Sequence, residues 1–288
     1  GRAARHHRRM TGVGTLLAAA TSELGSAAEA RTLLAHAAGV EPSRLVLLST
    51  VEPAVEESFR DLVTRRATGE PLQYLTGVAW FRTISVQVEP GVFIPRPETE
   101  VMVGWALEQL DALGPNPTVV ELCAGSGAIS AAIAAERPGC RQFAVELSEP
   151  AFHAAVRNLA GSEVDVRLGD MADAFTELDG QVDLVIANPP YIPLQMWEHV
   201  AAEVRAHEPQ IALFSGDDGL DAMRVVTKVA RRLLRKGGRV CAEHAEVQSE
   251  AVREVFVEAG SFVKVADHRD LNDRPRFVTA IRAGNLAG

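Results

Sequence analysis

Cysteine is scarce in this chain: Cys123, Cys140 and Cys241 are three among 288 residues. They are too few for a disulfide framework and too far apart for the paired spacing of a zinc site. A reducing compartment, the cytoplasm, is therefore expected, and no metal. Long hydrophobic runs are missing as well, since none approaches the ~18 residues of a membrane span. The opening GRAARHHRRM lacks the apolar segment of a secretory signal, so a soluble protein is expected. Residues 1–10 are read as disordered or as a remnant of expression, outside the fold. Nor is there a basic excess: 29 Lys and Arg against 38 Asp and Glu give a net charge of −9. That is the wrong sign for a protein living on duplex phosphate without a concentrated basic patch. Internal repeats and low-complexity segments are also absent.

What is present is ample apolar material, 47% of residues, in a chain longer than a typical domain of ~100 to 200 residues. From Thr11 to about Thr68 apolar groups recur at helical spacing, as in Leu16, Leu17 and Leu24 and again in Phe59, Leu62 and Val63. Breakers at Gly25, Gly39 to Pro42 and Pro53 cut this region into about four short helices. Each is too short to hold without its neighbours. Between Pro71 and Pro97 β-branched and aromatic residues take over, and a hairpin-like connector is predicted. A helix over Glu98 to Leu110 follows. Beyond Pro117 strand-like runs (TVVEL, RQFAVEL, VDVRLGD, VDLVIAN, RVCAEH) alternate with helical ones, which implies a largely parallel sheet. The last two runs, SFVKVADHR and RFVTAIR, lack an intervening helix and predict an antiparallel edge hairpin.

Glu121-Leu-Cys-Ala-Gly-Ser-Gly127 follows a strand and opens a helix, where free backbone N–H groups and close ligand approach coincide. Gly125 and Gly127 would admit a nucleoside. Glu146 ends the next strand, where a carboxylate can accept from both ribose hydroxyls. The same stretch reads G-x-G-x-x-S, one residue short of a dinucleotide fingerprint because Ser130 stands at the third glycine. Glu121 favours a sulfonium over a pyrophosphate, since a carboxylate attracts the first and repels the second.

Asn188-Pro189-Pro190-Tyr191 follows VDLVIA at the carboxyl end of a strand expected beside the first. The two prolines remove donors and stiffen the loop, leaving carbonyl oxygens projecting. An amide or arylamine nitrogen has a delocalised lone pair and attacks a methyl group poorly unless its hydrogens are held. Asn188 Oδ1 and the Pro189 carbonyl can hold both, while Tyr191 offers a stacking face. No strong general base is needed.

These residues resemble the HemK/PrmC protein-(glutamine-N5) methyltransferases, which modify the glutamine of the Gly-Gly-Gln motif in class I peptide chain release factors. GEPLQYLTG, GVFIPRPETE, AGSGAIS, NPPYIP, EPQIALFSGDDGLD and DLNDRPR carry the likeness over most of the chain. NPPY is shared with nucleic-acid methyltransferases, whereas PLQYL with IPRPETE is far more particular. The resemblance implies an α/β fold: a Rossmann-like class I S-adenosylmethionine-dependent methyltransferase domain over 98–288, with a mostly parallel seven-stranded sheet. A helical substrate-recognition domain over 11–70 and a β-hairpin connector over 71–97 would precede it. S-adenosylmethionine would be the cofactor and S-adenosylhomocysteine the product. Glu121, Cys123, Ala124, Gly125, Ser126, Gly127, Glu146, Met171 and Asn188 would border the cofactor, with Met171 near the adenine. Asn188, Pro189, Pro190 and Tyr191 would hold the substrate glutamine, and Arg96 would stand nearby. A monomer acting on release factors, without membrane or direct nucleic-acid contact, is expected.

The chain departs from the family pattern where Glu121 and Glu146 replace aspartate and Cys123 replaces glycine. Cys123 is read as a small buried residue, not a nucleophile or metal ligand. Glu243-His244 is expected to pack and hydrogen-bond beside the cleft. The alternatives are an N-methyltransferase for an exocyclic amine of adenine or guanine in DNA or RNA, a non-catalytic adaptor, and a nicotinamide dehydrogenase.

Overall fold

The computed structural model describes residues 9–191 and 200–284. Ile192 and Pro193 of NPPYIP, and most of the basic opening run, lie outside the described residues. The chain forms two compact units, one up to Gly77 and one from Val78 onward.

In the first unit a two-residue ladder joins β1 (Thr11–Gly12) to β2 (Thr50–Val51). Helices α1 (Val13–Leu24), α2 (Ala27–Ala38), α3 (Pro53–Ala67) and α4 (Leu72–Thr76) pack around Leu33, Leu34, Leu45 and Phe59. The breakers read in the sequence act as caps. Gly25 and Gly39 are left-handed, at φ 70° and 67°, and Ser26 accepts from the Glu29 N–H at 3.2 Å to start α2. The segment PLQYL is helical where an extended connector was predicted. Leu and Gln are good helix formers, Pro71 stands at the start, and Gly77 closes the turn at φ 77°.

The second unit opens with a hairpin, β3 (Val78–Phe81) paired antiparallel to β4 (Ile84–Gln87). Then come α5 (Thr99–Ala112), β5 (Thr118–Leu122), α6 (Ala128–Glu136), β6 (Arg141–Glu146), α7 (Glu149–Asn158), β7 (Asp165–Leu168), β8 (Val182–Ala187), the short α8 (Ala202–His207), α9 (Asp221–Leu233), β9 (Leu234–Glu243), α10 (Ser249–Glu258), β10 (Phe262–Arg269) and β11 (Pro275–Arg282). Helix α8 was not foreseen. Among the described residues seven strands form one sheet, ordered β10-β11-β9-β8-β5-β6-β7. Neighbours from β9 to β7 run parallel, and β11 is antiparallel to both β9 and β10. This is the class I methyltransferase architecture expected from the sequence, with its antiparallel edge.

Strand periodicity then decides which side chains meet the site. Val120, Leu122, Val185, Ala187, Val240 and Ala242 face a core filled by α9 and α10. Glu121, Ile186 and Cys241 stand in register across β5, β8 and β9 on the opposite face, as does Glu243 two residues on. The hairpin is fastened to the domain by Arg82, which pairs bidentately with Glu136 of α6 (2.7 and 2.9 Å) and donates its backbone N–H to Glu100 of α5 (3.0 Å).

Candidate active site

The parallel strands β5, β6, β7 and β8 end at one edge, where a cavity of about 280 Å3 opens. Its lining includes Glu121, Cys123, Ala124, Gly125 and Ser126 after β5, Glu146 and Leu147 after β6, Asp170 and Met171 after β7, and Asn188 and Pro190 after β8. Most of the predicted cofactor residues therefore converge here. Gly127 is not among the lining residues. At φ 84° it starts α6, and a Cβ there would stand 3.1 Å from Leu159 and 3.3 Å from Ala155, so its lack of a side chain lets α6 approach α7. Gly125, at φ 56°, has open space where a Cβ would be.

The loop is braced by the carboxylate read as its ribose acceptor. Glu146 Oε1 accepts from the Gly125 N–H at 2.8 Å and Oε2 from the Ser148 N–H at 2.7 Å. Each oxygen keeps a lone pair for a further donor. Asn158 of α7, which sequence reasoning missed, donates to the Ser126 carbonyl at 2.8 Å and exchanges two hydrogen bonds with the Gln87 backbone of β4. It ties hairpin to loop, and nothing local in the sequence marks it.

Glu121 was read as a charge, and the structure qualifies that reading. It is 1% exposed, and burial raises its carboxyl from 4.5 to about 8, partly opposed by Ser130, which donates its hydroxyl at 2.6 Å and its N–H at 3.2 Å. At neutral pH the side chain therefore favours its protonated form. The hydroxyl of Ser130 also explains why glycine is absent at that position, because it partners a buried carboxyl. Cys123 sits at φ 58°, where glycine would be free of strain. Burial, followed by the nearby carboxyl groups of Glu146, Glu121 and Asp170, raises its thiol, and Sγ rests 3.7 Å from Met171 Sδ. It is a half-buried thiol lining the cavity, with no activated nucleophilic character.

A second cavity, of about 440 Å3, adjoins the first. Arg96, Pro189, Tyr191, Val204, Val247 and Gln248 contribute to it, and Phe93, Asn188 and Ala212 line both cavities. Arg96 donates to Glu208 at 2.6 Å and to the Ile94 carbonyl at 2.9 Å, with its guanidinium 4.7 Å above the Phe93 ring. The residue expected beside the active site thus lines the second cavity and also pairs with a carboxyl whose side chain is buried. Tyr191 is held at both ends: its hydroxyl donates to Glu243 Oε2 at 3.3 Å, and its carbonyl accepts from Gln248 Nε2 at 2.8 Å. Burial, then the nearby Glu243 charge, raises its phenol, so the ring stays neutral. Glu243 and His244 hydrogen-bond beside the cleft. His244 is buried, with Nε2 3.2 Å from Asp267 Oδ1.

Two family models match the chain, the PrmC N-terminal domain over residues 15–77 and the Methyltransferase small domain over residues 84–210. A release factor glutamine methyltransferase of Streptomyces coelicolor is 50% identical over 256 residues, covering 88% of this chain and 90% of that protein. A 4-amino-L-phenylalanine/4-methylamino-L-phenylalanine methyltransferase of Streptomyces pristinaespiralis is 38% identical, covering 93% and 92%. Among solved structures the hMettl16 catalytic domain, in complex with MAT2A 3′UTR hairpin 6, superposes with a TM-score of 0.56 at 13% identity, over 79% of this chain and 84% of that one. At that identity the likeness concerns the fold alone. Identity to the Streptomyces coelicolor enzyme over most of both chains, with the PrmC N-terminal model matched as well, places the chain in the HemK/PrmC family of release factor glutamine methyltransferases.

Proposed function

We propose that this protein transfers a methyl group from S-adenosylmethionine to the side-chain amide nitrogen of the Gly-Gly-Gln glutamine in class I peptide chain release factors. The observation that carries the reading is the position of Asn188, which borders both the glycine-loop cavity and the cavity lined by Pro189 and Tyr191. A donor in the first and a planar amide in the second would meet at this residue.

The residues of the first cavity suit the cofactor. Leu147 and Met171 give apolar surface for an adenine, Glu146 offers lone pairs to a ribose, and Glu121 is a carboxyl able to become an anion beside a cation. When bound, the cofactor would supply an electrophilic methyl group to the amide nitrogen, with S-adenosylhomocysteine as the leaving product. The protein's task is alignment. Asn188 Oδ1 and the Pro189 carbonyl accept the two amide N–H groups, turning the nitrogen lone pair toward the methyl group. Tyr191 packs against the amide plane, and one amide proton leaves to solvent after transfer.

Incubating the chain with a class I release factor and methyl-labelled cofactor should place a single label on the Gly-Gly-Gln glutamine, located by mass spectrometry. Label elsewhere, or none, refutes the reading. The same corner fits an arylamine nitrogen, and the Streptomyces pristinaespiralis relative is named for such a substrate. Supplying 4-amino-L-phenylalanine in place of the release factor discriminates the two. Nucleic-acid amines are not favoured, given the net charge of −9.

A further inference from the structure

Asn188 can hold a substrate amide only if its own amide faces the right way, because Nδ2 in place of Oδ1 would present donors to donors. The structure contains a directional chain that decides this. Thr99, the buried first residue of α5, donates its single hydroxyl proton to Glu243 Oε1 at 2.7 Å. Its remaining lone pairs can only accept, and Asn188 Nδ2 donates to them at 3.5 Å. At 3.5 Å that contact is longer than the usual ~2.7–3.2 Å, a weak bond whose direction is set by the Thr99 proton already being given to Glu243. The other oxygen of Glu243 takes the Tyr191 hydroxyl. Next to Glu243 in the ladder, the His244 N–H donates to the Arg276 carbonyl at 2.9 Å, and Arg276 Nε donates to Asp270 at 3.1 Å. Asp270 in turn accepts from the Asn272 and Arg274 N–H groups, so the closing DLNDRPR turn is internally braced.

We propose that Thr99 and Glu243 are positioning residues that lock the Asn188 amide with Oδ1 toward the acceptor. The proposal rests on the function proposed above. Neither residue touches the reacting atoms. Both act through Asn188, and Glu243 also orients Tyr191, so one side chain fixes the two ends of the Asn188–Tyr191 corner.

The test compares Thr99→Val, which keeps the shape and removes the hydroxyl, with Thr99→Ser, which restores it. Thr99→Val should lower kcat for release-factor methylation about 100-fold. KM for the release factor and Kd for S-adenosylmethionine should stay within about threefold, and Thr99→Ser should recover kcat to within about threefold of wild type. Equal kcat in Thr99→Val and wild type overturns the proposal, as does a Thr99→Ser variant no better than Thr99→Val. A second readout needs no acceptor: in 15N-labelled protein, the Asn188 side-chain N–H resonance engaged by Thr99 should move upfield in Thr99→Val and stay in Thr99→Ser. An unmoved resonance refutes the lock. Absence of methylation by wild type, with the resonance moving as stated, instead refutes the release-factor reading and leaves the lock supported.

Discussion

Glutamine in place of Glu121 should change how stability depends on pH, by an amount that follows from burial. Glu121 is 1% exposed, and its carboxyl is raised from 4.5 to about 8, with desolvation the largest cause, the Ser130 hydrogen bonds opposing it and the Glu146 charge adding to it. A carboxyl with a raised folded value keeps its proton in the native chain and releases it on unfolding. Its stabilising contribution is complete below about pH 4.5 and is lost as pH rises through about 8. Each pH unit inside that window shifts the balance by ~1.4 kcal/mol. From pH 5 to pH 8 wild type should therefore lose roughly 3–4 kcal/mol relative to a variant that cannot titrate.

Glu121→Gln is such a variant. Its Oε1 can still accept the Ser130 hydroxyl and N–H, so the bond pattern survives while the proton chemistry goes. Urea unfolding of both proteins at pH 5, 6, 7 and 8 supplies the comparison. Other buried carboxyls with raised values, such as Glu243 and Glu208, are common to both proteins and cancel in the difference. A stability difference constant to within about 0.5 kcal/mol from pH 5 to 8 would mean that Glu121 is already ionised when buried, and the reasoning would fail.

The same proton bears on the cofactor. Binding S-adenosylmethionine at pH 7 should expel it, so calorimetry in two buffers of different ionisation enthalpy should report proton release from wild type beyond that of Glu121→Gln; identical release from both contradicts this. Asn188→Ala should lower kcat by about 100-fold while cofactor Kd holds steady, since the lost contact aligns the acceptor; parallel loss of affinity and turnover would place Asn188 in cofactor binding instead. Arg96→Met removes the partner of Glu208, whose side chain is 2% exposed, and should cost ~2 kcal/mol, discounted because Arg96 itself is part-exposed. Adding Glu208→Gln should restore most of that loss in urea unfolding, and an unimproved double variant would show that the ion pair is not its source.

The parts of this protein that were legible in its sequence are those where one local pattern has one structural meaning. Alternating apolar strands and helical runs prescribe a parallel sheet, and two final strands without a helix between them prescribe the antiparallel edge, as β10 and β11 form. The glycine loop and Asn188 were legible because strand ends in such a sheet converge on one edge. PLQYL misled because the run behind it is β-rich, while its own Leu and Gln fold locally into α4, capped by Gly77. The supporting residues were hidden for a different reason. Thr99 and Glu243 are 144 residues apart and meet only because β9 lies beside β8 and odd-numbered positions of β9 face α5. Glu121 looks like a charge in any one-dimensional reading, and only its burial beneath α6 makes it a proton store. Sequence motifs thus locate the groups that line the cavities, which sit on the loops after the strands. The groups that orient them can come from any strand the sheet brings near, and it is there that the polarity of Asn188 and the proton state of Glu121 are set.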